Sequence, residues 1–432
     1  MRYVIDLIYL AGIAAYSPVI LYRRLAHGRY KGGWDERLGT IRRRNPERPC
    51  IWIHAVSVGE VNATRTLVDG LRRRFPEMPV SISATTDTGL ARAKALYGNE
   101  HDVFYFPFDL SCVMRRALGR INPAVICLME LEVWPNLARF AGEKGIPVAV
   151  VNGRISDGSF PKYLTFRRFL RGMFERVSLV LAQTPEYAER FAALGCAGER
   201  VRVTGSLKYD TAQTETEVPG ASRLAEQIHL GDERLLVLGG TGPGEEAMGL
   251  EVFQQLRQER GFEDVRLAIV PRKPERFDEA AGLIEGAGFG YARYSELKKS
   301  DLCVKGKPTV ILGDTMGDLR KFYALASAVF VGRSLVPMGG SDMMEPAALG
   351  KFTIFGPHTF NFKQTVAALL AGGGAVEVQD AAGLLSAVRR GLSDREYAAG
   401  VAAAGRAVIL RHQGATAKSL DAIADLLGRG RA

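Results

Sequence analysis

From residue 50 onward, short apolar runs rich in β-branched residues alternate with stretches whose apolar positions recur every three to four residues. Residues 50–54, 79–83, 103–105, 124–128, 147–151, 179–182 and 201–203 predict seven strands. Residues 61–74, 88–97, 113–121 and 185–194 predict amphipathic helices between them. At 210–226 the apolar runs stop and the composition turns polar, which marks a linker across 210–230. The alternation restarts at 235–238, 265–270, 291–294, 309–311, 328–331 and 353–355, and helices are predicted at 381–392 and 418–427. Strands alternating with helices of this length indicate parallel sheets covered on both faces. The expected class is therefore α/β: two Rossmann-like domains, 25–209 and 231–432, facing each other across a cleft. The last helix is a candidate to cross back to the first domain.

Ahead of this pattern, residues 3–22 form an apolar run whose one charge is Asp6. At about 1.5 Å per residue it is long enough to match a bilayer core of roughly 30 Å. Tyr3 and Tyr22 stand at its ends, whereas Tyr9 and Tyr16 lie inside it and suit an interfacial helix better than a deep span. A cleaved signal peptide needs more positive charge before the run and a small-x-small site after it, and neither is present. Residues 1–24 are thus expected to be a membrane anchor or interfacial helix, with a buried core helix as the alternative.

Charge sharpens that expectation. Of the net +10, residues 1–50 hold +6: ten cations (Arg2, Arg23, Arg24, Arg29, Lys31, Arg37, Arg42, Arg43, Arg44, Arg48) against Asp6, Asp35, Glu36 and Glu47. Cations following an apolar run place the body of the protein on the cytoplasmic side of the membrane and favour an anionic membrane surface as partner. Nucleic-acid binding is disfavoured, because the cations cluster beside the run instead of alternating with exposed aromatics. The 432 residues, 47% apolar and 24% charged, suit two globular cores. Cys50, Cys112, Cys127, Cys196 and Cys303 form no C-x-x-C pair, and with six isolated histidines they offer neither a disulfide framework nor a zinc spacing.

In open α/β sheets, ligands bind beyond the carboxyl ends of the strands, so chemistry is sought just after each predicted strand. The first is followed by His54-Ala55-Val56-Ser57-Val58-Gly59-Glu60. Glu60 reads either as a functional carboxylate or as an acid complementing the positive end of a helix. The fourth runs into Met129-Glu130-Leu131-Glu132-Val133-Trp134-Pro135-Asn136, two carboxylates at the end of a buried strand or simply a helix start with Pro135 in its first turn. In the second half, Pro271-Arg272-Lys273-Pro274-Glu275-Arg276 offers cations for a phosphate. Residues 313–319 (GDTMGDL) offer backbone amides, and residues 338–346 (MGGSDMMEP) offer close backbone approach and carboxylates. Together they suggest a nucleotide cradle. Two such domains suit a glycosyltransferase of the GT-B type or a nucleotide-sugar epimerase, and fold alone does not choose between them.

The motifs taken in order do choose. HAVSVGE (54–60), YFPFD (105–109), MELEVWPN (129–136), VNGRIS (151–156), GSLKYD (205–210), PRKPERF (271–277), GDTMGDL (313–319), SLVPMGG (334–340), EPAA (345–348) and GPHTFNF (356–362) span nearly the whole chain. The chain resembles the 3-deoxy-D-manno-octulosonic acid (Kdo) transferases of lipopolysaccharide assembly. That resemblance implies a GT-B fold and an inverting, metal-independent transfer of Kdo from CMP-Kdo to a hydroxyl of the lipid A precursor, with no cofactor. It implies that Glu60 is the proton acceptor and that Glu130 and Lys208 stabilise the transition state. It further implies that CMP is held by Pro271, Arg272, Met316, Gly317, Asp318, Asp342, Met343, Met344 and Glu345, and that the protein sits at the inner membrane.

The chain departs from the family pattern at Ser341-Asp342, where His and Asn are usual, at Lys273 for His, at Asp318 for Glu, and at Thr241-Gly242-Pro243-Gly244 after the first strand of the second half. All of these lie on the donor side. A GT-B transferase using another nucleotide sugar, and an inactive membrane-bound scaffold of the same fold, are the competing readings.

Overall fold

A computed structural model describes residues 4–27, 32–300 and 306–429. Tyr3, Arg2, Arg29, Lys31 and Cys303 lie outside the described residues. The chain divides into two units, residues 1–211 with 412–432, and residues 212–411.

The first unit is built on seven strands: β1 (Cys50–Ala55), β2 (Val80–Ala84), β3 (Asp102–Tyr105), β4 (Pro123–Met129), β5 (Val148–Gly153), β6 (Leu179–Ala182) and β7 (Val201–Val203). They form one parallel sheet in the order β3-β2-β1-β4-β5-β6-β7. Successive strand residues point to opposite faces, so the sheet has a core on each side. Trp52, Ile126, Leu128, Val150 and Val180 pack on one face; Ile51, Ile53, Val125, Cys127, Ala149 and Val151 pack on the other. The second face is completed from the far end of the chain. Ala422, Ile423 and Leu427 of the helix Ala415–Arg429 are buried there, at about 1.5–3 kcal/mol for each of the two larger side chains. The expected helix at 418–427 thus belongs to the first unit.

The second unit carries β8 (Leu235–Thr241), β9 (Arg266–Pro271), β10 (Tyr291–Arg293), β11 (Val310–Leu312), β12 (Ala328–Val331), β13 (Phe352–Phe355) and β14 (Val376–Glu377). They are ordered β10-β11-β9-β8-β12-β13-β14, and every pairing is parallel. In each sheet the strand order reverses direction once beside the first strand, between β1 and β4 and between β8 and β12. Such switch points open a crevice at the carboxyl ends of the strands.

Three expectations need correction. The stretch 210–230 is not all linker, because Ala221–Gln227 is a helix with Leu224 fully buried. Of the cations expected to meet an anionic membrane surface, Arg44 pairs with Asp102 and so is not free for head groups. Most importantly, the apolar run does form a helix, Val4–His27, but among the described residues no helix is long and apolar enough to cross a membrane. Its length suffices; Asp6, three tyrosines, Ser17 and Pro18 dilute its hydrophobicity.

Asp6 has a structural partner instead. Its carboxylate accepts the backbone N–H of Ser111 and the Asn136 side-chain amide, both at 3.0 Å. Ser111 opens the helix Ser111–Ile121, which has no side-chain cap of its own, so Asp6 supplies one from another element. Three residues on, the Tyr9 hydroxyl donates to Asp109 at 3.1 Å.

Candidate functional site

In the first unit the switch point is flanked by the segments after β1 and β4: Glu60 lies in the first turn of the helix that follows β1, and Glu130 directly follows β4. Ser57 caps the helix Val58–Ala63, its Oγ accepting the Glu60 N–H at 3.4 Å, while Glu60 reaches back. Glu60 Oε2 accepts the Val56 N–H at 2.9 Å and Oε1 accepts the Ser57 hydroxyl at 2.9 Å. This is a capping-box arrangement, so the helix-terminus reading of Glu60 is structurally real. It also fixes the carboxylate in one orientation. Burial raises the Glu60 pKa, and the Glu130 charge pushes it further up against the hydrogen bonds from Val56 and Ser57. A raised pKa makes a carboxylate a stronger base.

Glu130 follows β4 with φ +55, a left-handed conformation that costs a non-glycine residue about 1–2 kcal/mol. Its N–H donates to Val151 O at 3.0 Å, and its carbonyl accepts the Arg154 N–H at 3.4 Å. The strained turn directs the next residues away from the strand, and Glu132 shares the same electrostatic field. Burial, followed by the charges of Glu60 and Glu130, raises Glu132 to about 7. Glu60, Glu130 and Glu132 are therefore electrostatically coupled, and the resemblance assigns roles to only two of them.

Lys208 lies in the short helix Leu207–Asp210. Among the described residues no acceptor meets its ammonium. The turn itself is fixed from both sides: Asn152 Oδ1 accepts the Leu207 N–H at 3.1 Å, and Asp210 Oδ1 accepts the Gly414 N–H at 2.6 Å. His54, also in the first motif, is a core residue. It is fully buried, bonded through Nδ1 to Ser83 Oγ at 3.0 Å, and burial lowers its pKa to about 3.

In the second unit Arg272 after β9, Arg320 in the helix Leu319–Leu325 after β11, and Asp342 after β12 act electrostatically on Glu345. Burial and the Asp342 charge raise Glu345 to about 7, and Arg320 and Arg272 oppose the rise. Pro271 ends β9 in the interior, and Arg272 follows it exposed. Met316 is 57% exposed and Gly317 has φ +88. Asp342 is exposed and accepts the Met344 N–H at 2.9 Å, while Met343 and Met344 are buried.

Two residues proposed for phosphate or nucleotide contact are committed elsewhere. Asp318 accepts from Lys298 at 2.8 Å, Lys321 at 2.8 Å and Thr315 at 2.7 Å. Burial would raise its pKa, but these bonds hold it at about 2. Arg276 is bound to the fully buried Glu246 at 2.6 Å and to Glu279 at 2.7 Å, so of the cations in that loop Arg272 and Lys273 stay open.

Two further residues are not legible as site residues in the sequence. Arg320 is placed by donating to Gln213 O and Glu215 O at 2.8 and 2.7 Å. Glu245, 1% exposed, accepts the N–H groups of Gly242, Ser334 and Leu335 at 2.8, 2.8 and 3.0 Å, and that of Arg333. It joins the loops on either side of the second switch point. Ser341 joins them again, donating to Gly240 O at 2.7 Å. Gly240 has φ +66, and a Cβ there would lie 2.6 Å from Ser341 Oγ. Among the described residues no cluster of three or more His, Cys, Asp or Glu could hold a metal ion.

A family model described as 3-deoxy-D-manno-octulosonic-acid transferase (kdotransferase) matches residues 32–211, the stretch containing Glu60, Glu130 and Lys208. The 3-deoxy-D-manno-octulosonic acid transferase of Bordetella pertussis is 34% identical over 438 residues, covering 98% of this chain and 99% of that one. The chain belongs to the Kdo transferases. It is a glycosyltransferase, and its reaction is Kdo transfer in lipopolysaccharide synthesis. The Kdo transferase of Haemophilus influenzae is 33% identical over 405 residues, 93% of each chain. Among solved structures, UDP-GlcNAc 2-epimerase from Neisseria meningitidis, bound to UDP-GlcNAc, matches with a TM-score of 0.57 at 13% identity, covering 87% of this Kdo transferase and 99% of that chain. That likeness is one of fold.

Proposed function

We propose that this Kdo transferase moves Kdo from CMP-Kdo to a hydroxyl of the lipid A precursor with inversion and without a metal. The acceptor oxygen attacks the anomeric carbon of Kdo, Glu60 takes the hydroxyl proton, and the bond to the CMP phosphate oxygen breaks so that CMP leaves as an anion. The observation that carries this reading is Glu60 itself: a carboxylate at the switch point, oriented by Ser57 and Val56, with a pKa raised by burial and by Glu130.

Glu130 and Lys208 stabilise the charge that develops as the bond breaks. Lys208, with no acceptor among the described residues, is available to the Kdo carboxylate. Arg272 meets the departing phosphate, as a planar guanidinium can through two parallel hydrogen bonds. Met316 and Gly317, the Asp318 backbone, and Asp342 to Glu345 surround the rest of CMP.

The helix Val4–His27 lies in the cytoplasmic interface of the inner membrane instead of crossing it. Leu7 and Ile8 are each 64% exposed, an arrangement that suits lipid contact. A second apolar and basic surface supports the same partner. Phe166 and Phe169 are exposed beside Lys162, Arg167 and Arg168, and residues 160–174 contain no acid.

The deciding experiment incubates purified protein with CMP-Kdo and a lipid A precursor and weighs the lipid by mass spectrometry, with and without EDTA. A gain of Kdo mass in both arms is expected, and its size counts the units added. A folded protein that adds no Kdo overturns the reading, and loss only with EDTA overturns metal independence.

A further inference from the structure

A cavity of about 220 Å³ lies beyond the carboxyl ends of β2, β3 and β4, and among its walls are Phe106, Phe108, Leu110, Trp134, Tyr9 and Arg37. It adjoins the strand that leads to Glu60: His54 of β1 stacks on Phe106 with ring centroids 3.9 Å apart. Phe106 also packs against Trp134 at 5.9 Å, four residues beyond Glu130.

Most polar groups in these walls are already engaged, and the two that have no hydrogen-bond partner, Arg37 Nε and Trp134 Nε1, are shut off from solvent. Arg37 donates to Thr85 O at 3.0 Å, lies 3.6 Å from Asp87 and rests 4.1 Å over the Tyr105 ring. Asp109 accepts the N–H groups of Asn136 and Leu137 at 2.9 and 2.7 Å and the Tyr9 hydroxyl at 3.1 Å. A sugar entering this space would give up water and gain few partners for its hydroxyls, which is costly. A hydrocarbon chain loses nothing there and gains the burial of its methylenes. The helix that contributes Tyr9 exposes Leu7, Ile8 and Leu10, so an apolar approach continues from the same element.

We propose that this cavity is an acyl-chain subsite, which receives one hydrocarbon chain of the lipid acceptor and thereby positions its sugar hydroxyl for Glu60. The proposal rests on the acceptor assignment above. Burial of each methylene favours binding by about fourfold, so kcat/KM should rise with acyl length until the cavity is full.

The test compares long-chain and short-chain acceptors with the parent and with Leu110→Trp, which fills the cavity. The long-to-short ratio of kcat/KM should fall at least tenfold in the variant. A ratio within twofold of the parent's overturns the proposal. A binding measurement stands apart from turnover: an acceptor with a brominated acyl chain should quench tryptophan fluorescence in the parent and much less in Trp134→Phe. Equal quenching in both proteins overturns the subsite. If the parent transfers Kdo to neither acceptor, the functional reading fails, and the bromine experiment still decides whether the cavity takes a chain.

Discussion

Asn152 Oδ1 accepts the Leu207 N–H at 3.1 Å, joining the end of β5 to a turn 55 residues further along the chain. That turn carries Lys208, so a neutral amide in one motif sets the position of a cation in another. Asn152 also has φ +57, and its carbonyl accepts from Gln183 Nε2 at 3.0 Å. Asn152→Gly keeps the backbone accessible and removes only the side-chain bond, costing about 1–3 kcal/mol. Asn152→Ala adds the left-handed penalty of about 1–2 kcal/mol. Urea unfolding should therefore rank the parent above the Gly variant and the Gly variant above Ala, and both variants should lose turnover.

Glu60 serves the helix and the chemistry at once, and two substitutions separate the roles. Ser57→Ala removes the cap and should cost about 1 kcal/mol of stability while transfer remains within tenfold. Glu60→Gln keeps size and shape but cannot take a proton. Transfer to the lipid acceptor should fall at least a hundredfold, with CMP binding retained. Turnover of the Gln variant within a few-fold of the parent would remove Glu60 from the chemistry.

Glu132 makes stability depend on pH. Its pKa is raised from the ordinary 4.5 to about 7, so between those values the folded state binds more protons than the unfolded state. Stability then falls as pH rises through that window. Glu132→Gln should gain up to about 3 kcal/mol over the parent at pH 8 and nothing at pH 4. Denaturant titrations at the two pH values measure the difference, and an equal gain at both would contradict the burial of a charged Glu132.

Arg272 and Arg276 stand four residues apart with opposite expectations. Arg272 is exposed, so Arg272→Ala should leave the ligand-free melt nearly unchanged and weaken CMP binding more than tenfold in calorimetry. Arg276→Ala leaves the fully buried Glu246 without its cation and should destabilise the second unit by about 3–5 kcal/mol.

Asp6 tests how the amino-terminal helix is held. Asp6→Ala leaves Ser111 N–H and the Asn136 amide without their acceptor, at a cost of about 1–3 kcal/mol. Hydrogen exchange should quicken at Ser111, and unchanged exchange there would show that another acceptor replaces Asp6.

Much of the architecture was legible in one dimension because its cause is local. β6, β7 and β12 have the boundaries that their apolar runs predict, and most other strands shift by one to three residues. A parallel strand buried on both faces must be continuously apolar wherever it lies in the sheet. Elements with weaker local signals were missed or merged. β14 has two residues, the predicted helix 61–74 divides at Thr64, and the helix Arg395–His412 has too many alanines and glycines for a sharp apolar stripe.

The order of motifs likewise sufficed for the family, and the positions of Glu60, Glu130 and Arg272 after their strands followed from the alternation alone. What the sequence could not contain is the partner of each polar group. Whether Arg276 or Arg272 is free depends on Glu246, thirty residues away on another element. Whether Asp6 marks a membrane end or a cap depends on Ser111, 105 residues further on. A side chain's hydrophobicity and its spacing are properties of the chain. Its charge state and hydrogen-bond partners are properties of the neighbours that folding brings within 3 Å.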